Sequence, residues 1–239
     1  MTDIVFLGKH EVGEKVYEWL CDQDDANVLA MLTQKEQLSI VHKTNPELII
    51  SGGFQHIIPE SVLNVPDLGC INMHGSYLPY NRGGNTNVWP LIDQTPAGVS
   101  LHYMTPELDG GPIIDRRTIE TQPSDTAKSL LTRMRREAIQ QFKQVWPEIR
   151  DNTVETIPQP QDGGTYHSRS EFIDLWEIDL EESATYQEVI DHLRALTHPP
   201  YNNAYFKSDG KKYFVELSIK PVENLNETPG NYAERSENN

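Results

Sequence analysis

The sequence predicts an α/β fold: a mostly parallel sheet with helices on both faces, followed by a small C-terminal module of one helix and a β-hairpin. Three observations carry that expectation. Short apolar runs alternate with helix-spaced ones through residues 3–53. One long amphipathic stripe follows between residues 127 and 145. An Asp209-Gly210 pair then separates two apolar-aromatic segments.

DIVFL (3–7), closed by Gly8, reads as the first strand. Between Glu11 and Cys21 the apolar residues Val12, Val16, Trp19 and Leu20 recur at helical spacing. ANVLAMLT (26–33) and ELIISGG (47–53) read as second and third buried strands, with a polar helical stretch between them. That order is a βαβ unit, whose strands run parallel. CINMH (70–74) is a fourth strand. VSLHYM (99–104) and GPIIDRRTIE (111–120) alternate and are expected to pair with each other. Ser124 and Asp125 are the expected caps of the next helix. Its stripe is Ala127, Leu130, Leu131, Met134, Ala138, Phe142 and Val145. The run RMRRE (133–137) reads as its solvated face.

The texture changes after Arg150, so residues 1–150 are expected to form the main domain. DNTVETIPQPQDGG has the prolines and glycines of a linker. Thr185 and Glu188 form a capping box for a second amphipathic helix along Tyr186, Val189, Ile190, Leu193 and Leu196. THPP (197–200) ends it. AYFKSDGKKYFVELSI (204–219) reads as a hairpin turning at Asp209-Gly210. An isolated hairpin is marginal in water, so it must pack on the body or on a second subunit. The linker, helix and hairpin make a module over 151–220, and 221–239 has the polar composition of a flexible tail.

With 36 acidic against 20 basic residues, the formal net charge is −16. A protein that follows phosphates along nucleic acid usually shows a basic face. Extended DNA or RNA binding is therefore not expected. The N-terminus lacks a basic flank and an apolar stretch of signal length. No run approaches the length of a membrane span. Cys21 and Cys70 are too few for a disulfide scaffold and read as small apolar fillers in a reducing compartment. The histidines are scattered and neither cysteine has a partner at ligand spacing, so no metal is expected. The expectation is a soluble, cytoplasmic protein that acts on small molecules.

The densest chemistry lies in GCINMHGSYLPYNRGGNTNVW (69–89). Asn72 and His74 are two apart on a strand, so they share a face. They stand at its C-terminal end, the edge where open α/β sheets place ligands. ELDGG (107–111) adds a carboxylate in a turn after a strand. These three side chains suit acyl transfer. Histidine moves a proton near neutrality, asparagine donates to a developing oxyanion, and aspartate orients an imidazole. His102, on an alternating strand, reads as structural. By spacing alone, Asn-x-His is more often a structural pair.

NMHGSYLP…RG followed by LHYMTPELDGG resembles the signature of the 10-formyltetrahydrofolate-dependent formyltransferases. The resemblance runs from residue 1 to about 150. It implies a Rossmann-like sheet, 10-formyltetrahydrofolate as co-substrate, and Asn72, His74 and Asp109 as catalytic residues. SGGFQHIIP (51–59) is similar to the segment lining the pterin pocket. That implies Phe54, His56 and Ile58 near the folate, with 104–109, including Met104 and Leu108, giving backbone contacts.

The branch follows from the loops. GKHEVG (8–13) is not the glycine-rich phosphate loop of the purine enzymes. The residues after Arg150 are acidic, unlike the RNA-binding barrel of the methionyl-tRNA enzymes. YLPYNRG…NVWP, GGTYHSR and LTHPPYNNAYF are similar to short nucleotide-sugar N-formyltransferases. The resemblance thus implies an acceptor such as dTDP-4-amino-4,6-dideoxyglucose, with 3-amino or UDP-linked sugars open. It also implies a homodimer through the C-terminal hairpin region.

Lys9 and His10 follow the first strand, within reach of a pyrophosphate or simply exposed. Arg82 suits a phosphate or sugar contact, or a loop-fixing ion pair. Asn81 and Tyr77 are expected beside the sugar, although an aromatic by a strand is often core. Tyr166 and His167 either border the sugar or staple the linker. Tyr201 is expected to stack on a base or pack the hairpin. Two rival readings remain: a hydrolase releasing formate, and a non-catalytic folate-binding module. The hydrolase relatives usually carry an extra N-terminal regulatory domain, whereas the first strand here starts at Asp3.

Overall fold

The computed structural model describes residues 1–160 and 163–222. Most of the tail expected over 221–239 lies outside the described residues. In chain order the first strands and helices are β1 (Thr2–Leu7), α1 (Glu11–Cys21), β2 (Ala26–Leu32), a 3₁₀ turn over Lys35–Ile40, α2 (Val41–Thr44), β3 (Leu48–Ser51), α3 (Glu60–Leu63) and β4 (Cys70–His74). Then come β5 (Arg82–Gly83), α4 (Trp89–Ile92), β6 (Gly98–Tyr103), β7 (Ile113–Thr118) and α5 (Ala127–Arg150). The rest is β8 (Tyr166–His167), α6 (Arg169–Asp174), α7 (Tyr186–Leu196), β9 (Thr197–His198), β10 (Tyr201–Asn202), β11 (Tyr205–Ser208) and β12 (Lys211–Phe214).

Six strands form one sheet in the order β2-β1-β3-β4-β6-β7. The first four run parallel, and β6 and β7 are antiparallel to their neighbours. The mostly parallel α/β fold is thus present. Period-two alternation divides the core between the two faces. Ile4, Phe6, Leu48, Ile50 and Ile71 pack against Val16 and Leu20 of α1 and Phe142 and Val145 of α5. Val5, Leu7, Ile49 and Cys70 pack on the other face against Leu38, Val41 and Val62. Burying a side chain such as Phe142 contributes about 1.5–3 kcal/mol.

Four local expectations change. β2 is an edge strand with only Ala26 and Leu32 fully buried, not a buried one. The cap of α5 is Thr126, which accepts from the Ser129 N–H; Asp125 instead accepts from Gln122 and binds Arg133. Cys21 is exposed at the end of α1, and only Cys70 is buried. The polar run on α5 is also occupied: Arg133 pairs with Asp125 and Arg135 with Glu11 of α1.

The C-terminal module docks on the body. Ala195 of α7, with Phe172 and Leu175, joins a cluster with Leu91, Val99, Leu130 and Met134. The linker is stitched down as well. Ile157 bridges Ile113, and β8 runs parallel to β5. His167 stacks on Trp89 at 3.8 Å, so it staples the linker. The hairpin β11–β12 turns at Asp209 and Gly210, both at positive φ, as a two-residue turn between twisted strands requires.

Candidate active site

Asn72 and His74 lie on β4 and share a face, as alternation dictates. β6 runs antiparallel beside them and sets His102 directly across from Asn72. The β6–β7 connection carries Asp109, whose φ is 48°, back over the same strand end. The turn is tight at Gly111, where a Cβ would stand 1.9 Å from the Tyr103 carbonyl oxygen.

Three expected residues and one other meet there. His74 Nδ1 lies 3.5 Å from Asp109 Oδ1. Asn72 Nδ2 lies 3.2 Å from His102 Nε2, and that nitrogen is 3.7 Å from Asp109 Oδ1. The second oxygen of Asp109 accepts the Gly83 N–H at 3.0 Å. Gln159, from the linker, donates to the Asp109 and Gly111 carbonyls at 2.8 and 2.7 Å. The carboxylate is therefore held by β5 and its turn by the linker.

The imidazole tautomers follow from their partners. His102 Nδ1 faces the Tyr103 carbonyl at 2.9 Å and must donate to it. Nε2 is then a lone pair that accepts from the Asn72 amide. Burial, with His74 adding to it, lowers the His102 pKa to about 4, so the ring is neutral. His74 Nε2 faces the Asn81 carbonyl at 3.3 Å. Its ring thus lies between two acceptors, that carbonyl and Asp109. His102 was expected to be structural; it is 2 % exposed and belongs to the site. Its cross-strand register with Asn72, which the fold sets, brings it there.

The His74 ring opens onto a pocket of about 660 Å³, which His10, Arg135, Trp176 and Tyr201 also line. Tyr201 is 64 % exposed and meets His198 edge-on at 5.6 Å. A second cleft of about 530 Å³ is lined by Lys9, His10, Phe54 and His56. Residues expected at two different ligands therefore share one wall, and His10 belongs to both hollows. Phe54, Ile58 and Met104 sit in one apolar cluster on that side of the sheet. His56 is exposed and packs edge-on to Phe54 at 5.2 Å, while Leu108 is 54 % exposed in the turn.

Three expected sugar contacts lie elsewhere. Asn81 is 0 % exposed, with its side chain bound to Thr95 and Thr165, so it shapes the loop. Tyr77 lies under the Arg116 guanidinium, 4.4 Å from its ring centroid. Arg82 donates to Gln159 at 3.0 Å and Glu107 at 3.4 Å, bracing the Asp109 turn. Loop closure has turned all three into supports. Among the described residues no group of His, Cys, Asp and Glu is placed to hold a metal ion.

A family model described as formyl transferase matches residues 14–146, more than half of the chain. The chain belongs to the formyl transferase family. A second model, the N-formyltransferase dimerization C-terminal domain, matches residues 171–221 of this formyltransferase. It is 30 % identical over 176 residues to a dTDP-4-amino-4,6-dideoxyglucose formyltransferase from Mycobacterium bovis, covering 73 % of this chain and 74 % of the relative. A methionyl-tRNA formyltransferase from Staphylococcus epidermidis is 29 % identical, over 92 % of this chain and 81 % of its own. Among solved structures, a 4-N formyltransferase from Francisella tularensis superposes with a TM-score of 0.82 at 26 % identity, covering 92 % and 99 % of the two chains. In this formyltransferase Asn72, His74 and Asp109 thus sit at the C-terminal edge of the family's sheet.

Proposed function

We propose that this formyltransferase moves the formyl group of 10-formyltetrahydrofolate to the primary amine of a nucleotide-linked amino-deoxysugar, with dTDP-4-amino-4,6-dideoxyglucose the first candidate. The observation that carries the reading is His74, backed by Asp109 at 3.5 Å and opening onto a pocket of sugar-nucleotide size. The apolar cluster of Phe54, Ile58 and Met104 supports a folate beside the same turn.

The neutral amine attacks the formyl carbon, and the carbonyl oxygen becomes an oxyanion. Asn72 has a second amide N–H to donate to it, because the first is engaged with His102. Preorganised donors of this kind are a large part of acyl-transfer catalysis. The bond from the formyl carbon to the folate nitrogen then breaks. The amine loses a proton, and His74 with Asp109 passes one to the departing nitrogen. One C–N bond forms and one breaks, with no change in oxidation state.

The match to a dimerization domain supports a homodimer through the C-terminal module. Tyr213 and Phe214 of the hairpin are exposed, as are Tyr186, Val189 and Ile190 of α7. A cytoplasmic location accords with the folate donor.

The test is a panel read by product mass: dTDP- and UDP-linked amino sugars, methionyl-tRNA and no acceptor, each with 10-formyltetrahydrofolate. The reading requires formylated sugar nucleotide. Turnover of methionyl-tRNA alone would overturn it. Equal formate release with and without acceptor would show a hydrolase.

A further inference from the structure

The large pocket has an electrostatic character opposite to that of the chain. Acids outnumber bases 36 to 20 overall, yet none of the described residues lining this pocket is an aspartate or glutamate. The fixed charge among them is Arg135, presented with Leu131, Met134 and Ala138 on one stripe of α5. Its terminal nitrogens face His10 Nε2 at 3.4 Å and Glu11 at 2.5 Å. His198 and His10 both have lowered pKa values, through burial first and then through the charge of Arg135.

Two donors there lack acceptors. Arg135 Nε and Trp176 Nε1 are buried with no hydrogen-bond partner, and both residues line the pocket. A buried N–H with no acceptor is costly, so native structures nearly always supply one. Indole nitrogen is donor only, so a ligand rich in acceptor oxygens suits it. A guanidinium suits oxyanions in particular, through its planar fork of N–H groups.

We propose that Arg135 and Trp176, with His198, bind the diphosphate of the acceptor; this rests on the nucleotide-sugar reading above. Trp176 and His198 belong to the stretch matched by the dimerization model, so that module also completes the acceptor site.

The test is calorimetric titration of the full chain with dTDP, thymidine, inorganic pyrophosphate and tetrahydrofolate. Arg135→Met is expected to weaken dTDP about 10- to 100-fold and to lose most pyrophosphate binding. Thymidine and tetrahydrofolate should bind as to the wild type. Glu11→Gln, which removes the helix–helix ion pair but keeps the cation, should hold dTDP within about threefold. Trp176→Phe, which removes only the N–H, should weaken dTDP about five- to tenfold and serves if Arg135→Met fails to fold. Wild-type dTDP affinity in Arg135→Met, or in Trp176→Phe if the former fails to fold, would overturn the proposal. So would an equal loss for tetrahydrofolate, which would give Arg135 to the folate carboxylates, or no binding of dTDP and pyrophosphate to the wild type. Should no amino sugar accept formyl while these titrations behave as expected, the transfer reading falls and the diphosphate site stands.

Discussion

The Asn72 carboxamide and the His102 imidazole face each other across β4 and β6, 3.2 Å apart. The contact holds Asn72 by one N–H and works only while His102 is neutral, since a protonated ring has no lone pair to accept with.

That constraint gives a pH signature. The folded His102 pKa is lowered to about 4, against about 6.5 for a free imidazole. Between those values the unfolded chain binds more protons, so stability falls as pH drops from about 6.5 towards 4. Protonating the buried ring costs the fold on the order of 3 kcal/mol across that window. Chemical denaturation of wild type and His102→Gln should therefore differ by a constant above pH 7, and the wild type should lose stability relative to the variant as pH falls towards 4. A difference independent of pH would show that His102 does not titrate there.

Gln159 braces the Asp109 turn through two carbonyls. Gln159→Ala is expected to lower kcat about tenfold through one or two lost hydrogen bonds, with the acceptor KM within about threefold. A change confined to KM would place Gln159 at the acceptor instead.

The site should act as a unit. Asn72→Ala and Asp109→Asn are each expected to cost at least about 100-fold in turnover. The double variant of His74 and Asp109 should lose far less than the product of the single losses. Multiplying losses in steady-state kinetics would mean that the two residues act independently.

In the hairpin, Phe206 stacks on Tyr213 at 5.2 Å and Tyr205 meets Phe214 edge-on at 6.1 Å. Burying each aromatic side chain contributes about 1.5–3 kcal/mol. Phe206→Ser with Phe214→Ser should give a monomer or aggregate by light scattering. An unchanged dimer, or a monomeric wild type, would remove the hairpin from the interface.

The two thiols should differ in reactivity. Cys21 is exposed, whereas burial pushes Cys70 up to about 12. Alkylation of the native protein should modify Cys21 alone until the chain unfolds, because the thiolate is the reactive form. Early modification of Cys70 by peptide mass would contradict its burial.

Local signals made the framework legible. β-branched runs, the Thr185 capping box and Asp209-Gly210 act over a few residues, and the structure forms each element they mark. Asn72 and His74 were readable because two-residue spacing fixes a shared face. What chain closure decides was not readable. A histidine on an alternating strand looks like core until the register sets it against Asn72. Arg135 looked solvated because the α6–β10 segment that walls its pocket lies more than thirty residues away in sequence. Asn81 and Arg82 carry suitable chemistry for a sugar, but Asn81 is buried against Thr95 and Thr165, and the terminal nitrogens of Arg82 are engaged by Gln159 and Glu107.

The proposed transfer turns on His74, which, held against Asp109, passes the proton to the departing folate nitrogen. The most direct measurement is the turnover of His74→Ala with saturating 10-formyltetrahydrofolate and dTDP-4-amino-4,6-dideoxyglucose, on protein with native circular dichroism. A loss of at least about 100-fold is expected. Turnover near that of the wild type would contradict it.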